Sequence, residues 1–255
     1  MNEQAPAKPG SVMSEASFYD MAWDEWQDMI KYSPAPRLRR EKVLSWLQRL
    51  PIKTLLDVGC GNAEFIALVH QKFPKFQVSG TDISEKIIEA NRMRFPEMSF
   101  LTLNLNDNTL SEKFDAVVCM EVVEHCHDYT DAIKRLASMT KKYLILSVPC
   151  GPVFEIDRRV GHERHFKAGE IKAALENAGL QELRSQCWGF PFFNLYKYLI
   201  NLNADKMCDA YLSQNRYTTK QKILASMVYA SFKLCCPFHG YQLFSLSCVK
   251  GATAT

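Results

Sequence analysis

The chain has 255 residues, 47% of them hydrophobic and 23% charged, which is globular composition with enough length for one large domain or a domain carrying an insertion. A formal net charge of +3 makes no strong field, so charge alone gives no reason to expect non-specific nucleic-acid binding. The nine cysteines are scattered and no C-x-x-C occurs, a pattern of buried thiols in a reducing compartment rather than of a disulfide framework.

In chain order, Met1 to Ser14 is polar and reads as disordered, without the apolar core of a signal peptide. Ser17 to Tyr32 reads as an aromatic-rich helix, either packed on a flank or covering a ligand cleft. Pro34 and Pro36 break the chain, and a helix follows over Arg37–Leu50 with Val43, Leu44, Leu47 and Leu50 at helical spacing. A sheet then begins. Strands are expected at Lys53–Val58, Gln77–Asp82, Met98–Leu103, Phe114–Cys119 and Tyr143–Val148, then from Leu180 and over Tyr241–Val249. Helices are expected at Ala63–Phe73, Ile83–Arg94, Tyr129–Met139 and Ala168–Ala178. Alternating strands and helices of this kind predict an α/β, doubly wound sheet.

The segment 191–239 is too long for an ordinary connection and reads as a helical insertion over the carboxyl edge of the sheet. The expected organisation is a tail at 1–14, N-terminal helices at 15–52, an α/β core at 53–190, the insertion at 191–239, and a last strand and tail at 240–255. Two apolar stretches, Phe190–Leu202 and Ile223–Phe238, are each shorter than the ~20 residues of a spanning helix, and each holds a lysine. The expectation is a cytoplasmic protein, with peripheral membrane contact and oligomer formation left open.

Asp57-Val-Gly-Cys-Gly-Asn-Ala-Glu64 sits between the first strand and its helix. Gly59 and Gly61 let backbone approach a ligand closely, and the helix N-terminus behind them offers N–H groups to an anionic end. Glu64 stands where a dinucleotide fingerprint wants a small residue, and an acid there suits a pyrophosphate badly. A zwitterion with an ammonium group, such as S-adenosylmethionine, fits the turn better, with Asp57 beside it. Asp82 ends the second strand, the place of an acid that holds ribose hydroxyls; its other use is to cap the next helix, a role that Ser84 fills better. Asn104, Asn106 and Asp107 follow the third strand, and one of them could reach an adenine; turn chemistry explains them too.

After the fourth strand, Glu121, Glu124 and His125 fall at i, i+3 and i+4, the spacing of one helical face. They read either as ligands of a divalent metal or as a general base, His125, held by a carboxylate. Gly161-His162-Glu-Arg-His165 follows the fifth strand, and His165, or less favourably His162, could add a fourth ligand. Mixed oxygen and nitrogen ligation suits Mn, Fe, Co or Zn, whereas Mg prefers oxygen.

Leu55-Leu-Asp57-Val-Gly59-Cys-Gly61, Asp82 and Phe114-Asp-Ala-Val-Val118 resemble the motifs of class I S-adenosylmethionine-dependent methyltransferases, over about 53–187 plus the last strand. Cys119-Met-Glu-Val-Val-Glu-His125 is similar to the matching segment of ubiquinone-pathway O-methyltransferases and to the E-x-x-E-H motif of small-RNA 2′-O-methyltransferases. His165-Phe166 stands where the latter family has its later histidine. The resemblance implies a Rossmann-like, seven-stranded sheet with an antiparallel last strand, and Glu121, Glu124, His125 and His165 as ligands of a metal. Catalysis falls to His125, Glu124 and His165. It also implies a cofactor site of Asp57, Gly59, Cys60, Gly61, Asn62, Asp82, Ile83, Asn104, Leu105, Asn106 and Met120, with Arg39 placed to meet the cofactor's carboxylate.

The expected reaction is methyl transfer to a hydroxyl or other nucleophile of a hydrophobic small molecule, with Phe190, Phe192, Phe193, Tyr196 and Tyr198 walling the acceptor pocket. The alternatives are an RNA 2′-O-methyltransferase, which the thinly spread lysines disfavour, and a non-catalytic cofactor-binding protein on the same fold.

Overall fold

A computed structural model describes residues 15–162, 164–211 and 216–251; the tail expected at 1–14 and the last four residues lie outside them. Three helices lead the chain: α1 (Glu15–Glu25), α2 (Gln27–Tyr32) and α3 (Pro34–Leu47). The single helix expected over Ser17–Tyr32 is therefore two, parted at Trp26. The two prolines expected to break the chain instead start α3. A proline ring pre-sets the helical φ in a first turn, where backbone N–H groups have no partner to lose.

The core follows as β1 (Thr54–Val58), α4 (Glu64–Lys72), β2 (Gln77–Asp82), α5 (Glu85–Arg94), β3 (Ser99–Thr102), β4 (Phe114–Met120), a 3-10 turn (Val123–His125), α6 (Tyr129–Ser138) and β5 (Thr140–Pro149). Then come α7 (Glu155–Arg159), α8 (Ala168–Asn177), β6 (Leu180–Trp188), α9 (Phe192–Asn201), α10 (Ala204–Tyr211), α11 (Thr219–Phe232) and β7 (Gln242–Val249). Ser84 caps α5 by accepting the Ile87 N–H at 3.2 Å, so that helix starts two residues later than expected.

The strands form one sheet in the order β3-β2-β1-β4-β5-β7-β6, parallel except for β7, which runs antiparallel to both β5 and β6. Successive β1 residues Leu55 and Leu56 enter opposite cores, and both are fully buried. One core packs α3, α4 and α5 on the sheet through Leu47, Ile66 and Ile88; the other packs α6 and α8 through Ile133, Leu136 and Leu175. The chain order reverses between β1 and β4, so the carboxyl ends of these two strands open a crevice at the switch point, where open α/β sheets bind ligands.

The segment expected as an insertion contributes Phe193 of α9 and Phe232 of α11 to the first core. Phe232 of α11 is fully buried and meets Trp188, Phe193 and Tyr196 in edge-on contacts, with ring centroids 5.4 to 5.7 Å apart. Among the described residues, no helix is long and apolar enough to cross a membrane.

Candidate active site

At the end of β1 the chain turns through Gly59 (φ 77°), Gly61 (φ 49°) and Ala63 (φ 58°). A Cβ on Gly59 would lie 2.2 Å from the Val122 side chain, and one on Gly61 would lie 2.2 Å from the Trp23 ring. Both positions therefore need glycine for space as well as for their left-handed backbone. The turn is tied to β2: Gly59 and Cys60 N–H donate to the Thr81 carbonyl at 2.7 and 2.8 Å. Asp82 accepts from the N–H groups of Gly61 (2.9 Å) and Ser84 (3.0 Å). Asp82 thus also clamps the turn, a use that its place in the sequence did not disclose.

Asp57 and Asp82 are 2% and 5% exposed. Burial, with the charge of Asp82 behind it, pushes the Asp57 carboxyl up to about 8. Burial likewise raises Asp82, against the pull of its backbone donors. Two desolvated acids side by side form a trap for a cation.

A cavity of about 620 Å³ runs from this turn toward the insertion. Asp57, Gly59, Cys60, Asn62, Asp82, Ile83, Asn104, Leu105, Asn106, Met120 and Arg39 all line it. Gly61 lies under Trp23, which lines the cavity with Tyr19. Asn104 and Asn106 are already engaged in loop structure. Asn104 accepts the Asn106 N–H at 3.0 Å and donates to Asp107 at 2.6 Å, while Asn106 accepts the His127 N–H at 3.0 Å. Arg39 pairs with Glu121 at 3.3 Å and donates to Gln242 at 3.3 Å. The cation expected to meet a cofactor carboxylate therefore spends its charge on an acid across the cavity. From above, α1 reaches down: Ser84 hydrogen-bonds Asp20, and the Tyr19 ring stands edge-on to His125 with centroids 6.0 Å apart.

The metal set expected from the sequence is rearranged. Glu121, Glu124 and His125 do not share a helical face, because Glu121 takes a left-handed backbone (φ 57°) ahead of the 3-10 turn that holds the other two. That twist sends the Glu121 carboxylate to Arg39, Ser147 (2.9 Å) and Gln242 (2.8 Å). The ligand atoms that do gather are those of Glu124, His125 and His162, all within 4.8 Å of one another. His165, the favoured fourth ligand, belongs to a neighbouring group with His162 and Asp157. Its Nε2 lies 3.3 Å from His162 Nδ1 and 3.6 Å from Asp157, which also pairs with Lys197. The histidine judged less favourable is thus the one at the corner.

Glu124 is fully buried, and neither carboxylate oxygen has a hydrogen-bond partner among the described residues; His162 Nε2 lies 3.9 Å from it. Burial and then Glu121 hold its carboxyl well above the usual range. His162 is held well below the imidazole range by burial and then by His125, so it is neutral and offers a lone pair. His125 Nδ1 lies 3.1 Å from the Gly161 carbonyl, an acceptor only, so Nδ1 carries the proton of that contact. An orphaned carboxylate beside two imidazoles is a donor set that fits a divalent cation.

Of the aromatics expected to wall the far end, Phe193 and Tyr196 line the cavity. Phe190, Phe192 and Tyr198 are 55%, 37% and 50% exposed and lie outside that lining. The turn of α9 decides this, since it sends Phe193, Tyr196 and Ile200 inward at helical spacing and leaves Phe192 and Tyr198 outside the lining. Sequence reasoning missed Ile156, Leu199, Met207, Leu224, Ala225 and Val228, which complete the apolar wall. It also missed Gln242, Asp157 and Lys197, which carry no local motif.

The profile of the methyltransferase-domain family matches residues 33–185, more than half of the chain. The small RNA 2′-O-methyltransferase of Schizosaccharomyces pombe is 33% identical over 37% of this chain and 30% of its own length. The ubiquinone biosynthesis O-methyltransferase of Coxiella burnetii is 30% identical over 49% of this chain and 56% of its own. The match thus spans between three tenths and somewhat over half of these relatives' length. Among solved structures, the magnesium protoporphyrin IX methyltransferase of Synechocystis with bound SAH superposes with a TM-score of 0.52 at 19% identity, over 84% of this chain and 83% of that one. The phosphoethanolamine N-methyltransferase 2 of Haemonchus contortus, in complex with S-adenosyl-L-methionine, gives 0.63 at 13% identity, over 95% and 61%. The fold is the one these methyltransferases share. The chain belongs to the methyltransferase-domain family.

Proposed function

We propose that this protein transfers the methyl group of S-adenosylmethionine to a hydroxyl of a hydrophobic small molecule, assisted by a divalent cation at Glu124, His125 and His162. The observation that carries the reading is the one cavity lined by the Asp57–Asp82 turn, by His125 and His162 with the buried Glu124 behind them, and by the apolar wall of α9, α10 and α11. Bound S-adenosylmethionine supplies an already activated methyl, so the protein's main task is alignment. Asp57 faces the cationic end, the Gly59–Asn62 turn seats the amino-acid part, and Asp82 takes the ribose. Ile83, Asn104, Leu105, Asn106 and Met120 enclose the adenine. In this reading α1 and α2 cover the cleft, and the insertion 191–239 walls the acceptor.

A divalent cation in the Glu124 corner would supply Lewis acidity toward the acceptor oxygen; two imidazoles and one carboxylate favour Mn, Fe, Co or Zn over Mg. His125 Nε2 can hold that cation or take the hydroxyl proton itself. The nine free thiols support work in a reducing compartment such as the cytoplasm.

The test compares labelled methyl transfer to phenolic and isoprenoid alcohols with transfer to RNA 3′ ends, before and after chelation. Transfer to the small alcohols that is lost on chelation and restored by Mn or Co is the expected outcome. Transfer to RNA alone would overturn the acceptor. Full activity after chelation would leave His125 as a base with no ion. Cobalt binding read by visible absorption, and lost in Glu124→Gln, checks the corner without any turnover.

A further inference from the structure

We propose that the outer face of α9 and α11 docks this protein on an anionic lipid bilayer, with the mouth of the cavity set against the membrane. On α9, Phe192, Leu195, Leu199 and Leu202 form one stripe at helical spacing and are 37%, 53%, 55% and 81% exposed. On α11 and just past its end, Ile223, Met227, Ala230 and Leu234 fall at i, i+4, i+7 and i+11; Ile223, Met227 and Leu234 are 57%, 66% and 72% exposed.

These are two sides of one surface. The start of α9 is bonded to the loop after α11, through Phe190 N–H to the His239 carbonyl (2.9 Å) and Cys236 N–H to the Phe190 carbonyl (2.7 Å). At the other end, Leu199 and Leu224 are both half exposed and both line the cavity, so the stripes meet at its mouth. Phe190 and Phe238, exposed beside each other at the first end, extend the apolar area. Contiguous apolar surface on this scale marks an interaction site.

Charge selects the partner. Neither α9, α11 nor the loop 233–239 carries a carboxylate, whereas Lys220, Lys222 and Lys233 lie on or beside α11 and the exposed Arg216 precedes it. Lys222 and Lys233 are shared with Asp28 and Glu41 on neighbouring helices, which leaves the rim net cationic. A second copy of the chain docked isologously here would set this cationic rim against itself. Apolar side chains flanked by lysines are the composition of helices that lie in a bilayer interface and draw on anionic headgroups. Docking does not depend on the methyl-transfer reading; only its use, the entry of an apolar acceptor from the lipid, rests on that.

The test is co-sedimentation with vesicles of phosphatidylcholine alone and of phosphatidylcholine mixed with phosphatidylglycerol, at low and high salt. The protein is expected in the pellet with the anionic vesicles, less so at high salt, and in the supernatant with the neutral ones. The combined variant Ile223→Ser, Met227→Ser, Leu234→Ser alters only exposed side chains outside the cavity lining. It should bind the anionic vesicles about tenfold more weakly while keeping its melting temperature. A wild-type protein that stays in the supernatant throughout, or a variant that pellets like wild type, overturns the proposal. So does light scattering that shows a dimer dispersed by the variant, which would assign the face to a second copy.

Discussion

Asp57 shows what a single buried group can reveal. Its carboxyl is held up to about 8 by burial and by Asp82, so near neutral pH it keeps its proton in the folded protein and loses it in the unfolded chain. The sign follows from that difference. The stabilisation is fully present below about pH 4, the ordinary carboxylate range, and is lost as pH rises to about 8. A cationic ligand beside Asp57 favours the ionised form. Binding of S-adenosylmethionine at pH 7 should therefore release a proton, and affinity should rise toward pH 8. Calorimetry in buffers of different ionisation enthalpy reads this directly, and heats that do not vary with buffer would remove Asp57 from the cation's surroundings.

Glu124 yields the second prediction at this scale. A buried carboxyl with no hydrogen-bond partner among the described residues costs the fold energy, and it can ionise cheaply only beside a cation. In chelator, Glu124→Gln should melt no lower than wild type; in saturating Mn or Co, wild type should melt higher and the variant should not follow. The turn supplies the third. Gly61→Ala has to meet both φ 49° and the Trp23 ring, and should cost about 1–2 kcal/mol in urea unfolding, the price of a left-handed Cβ.

Among the elements, α11 holds the insertion on the core. Phe232 is its anchor among Trp188, Phe193 and Tyr196. Phe232→Ala should cost about 3–5 kcal/mol of stability, measured by denaturant unfolding, through the cavity it leaves. The mostly helical pattern of 191–239 made the segment legible as helical, yet not which stripe of each helix would be buried. Both faces of α9 are apolar, and Trp188 of β6 with Phe232 of α11 takes Phe193 and Tyr196 into the interior. The helix α1 was legible as aromatic, but its contacts join residues far apart in the chain, Asp20 with Ser84 and Tyr19 with His125.

Across the whole molecule, the reversal of strand order between β1 and β4 places one crevice where α1, the glycine turn, the Glu124 corner and the insertion all meet. A ligand that binds only this assembled crevice stabilises the entire fold. S-adenosylmethionine at a hundred times its Kd should therefore raise unfolding stability by about 2.7 kcal/mol. A melting temperature indifferent to the cofactor would contradict the site described.

The sequence by itself determined the α/β order, the glycine turn, the acids that end β1 and β2, and the presence of a histidine-rich stretch after each of β4 and β5. These are local properties, written in periodicity and in residues a few positions apart. Tertiary structure alone decided how they combine. Glu121 leaves the corner because its left-handed backbone turns it toward Ser147 and Gln242 on β5 and β7. His162 rather than His165 faces Glu124 because the Gly161 turn packs against His125, where even a Cβ would come within 3.4 Å of its ring. The physical reason is the same in both: side-chain direction depends on one or two backbone dihedrals and on strands paired across the sheet, and neither leaves a periodic mark in the chain.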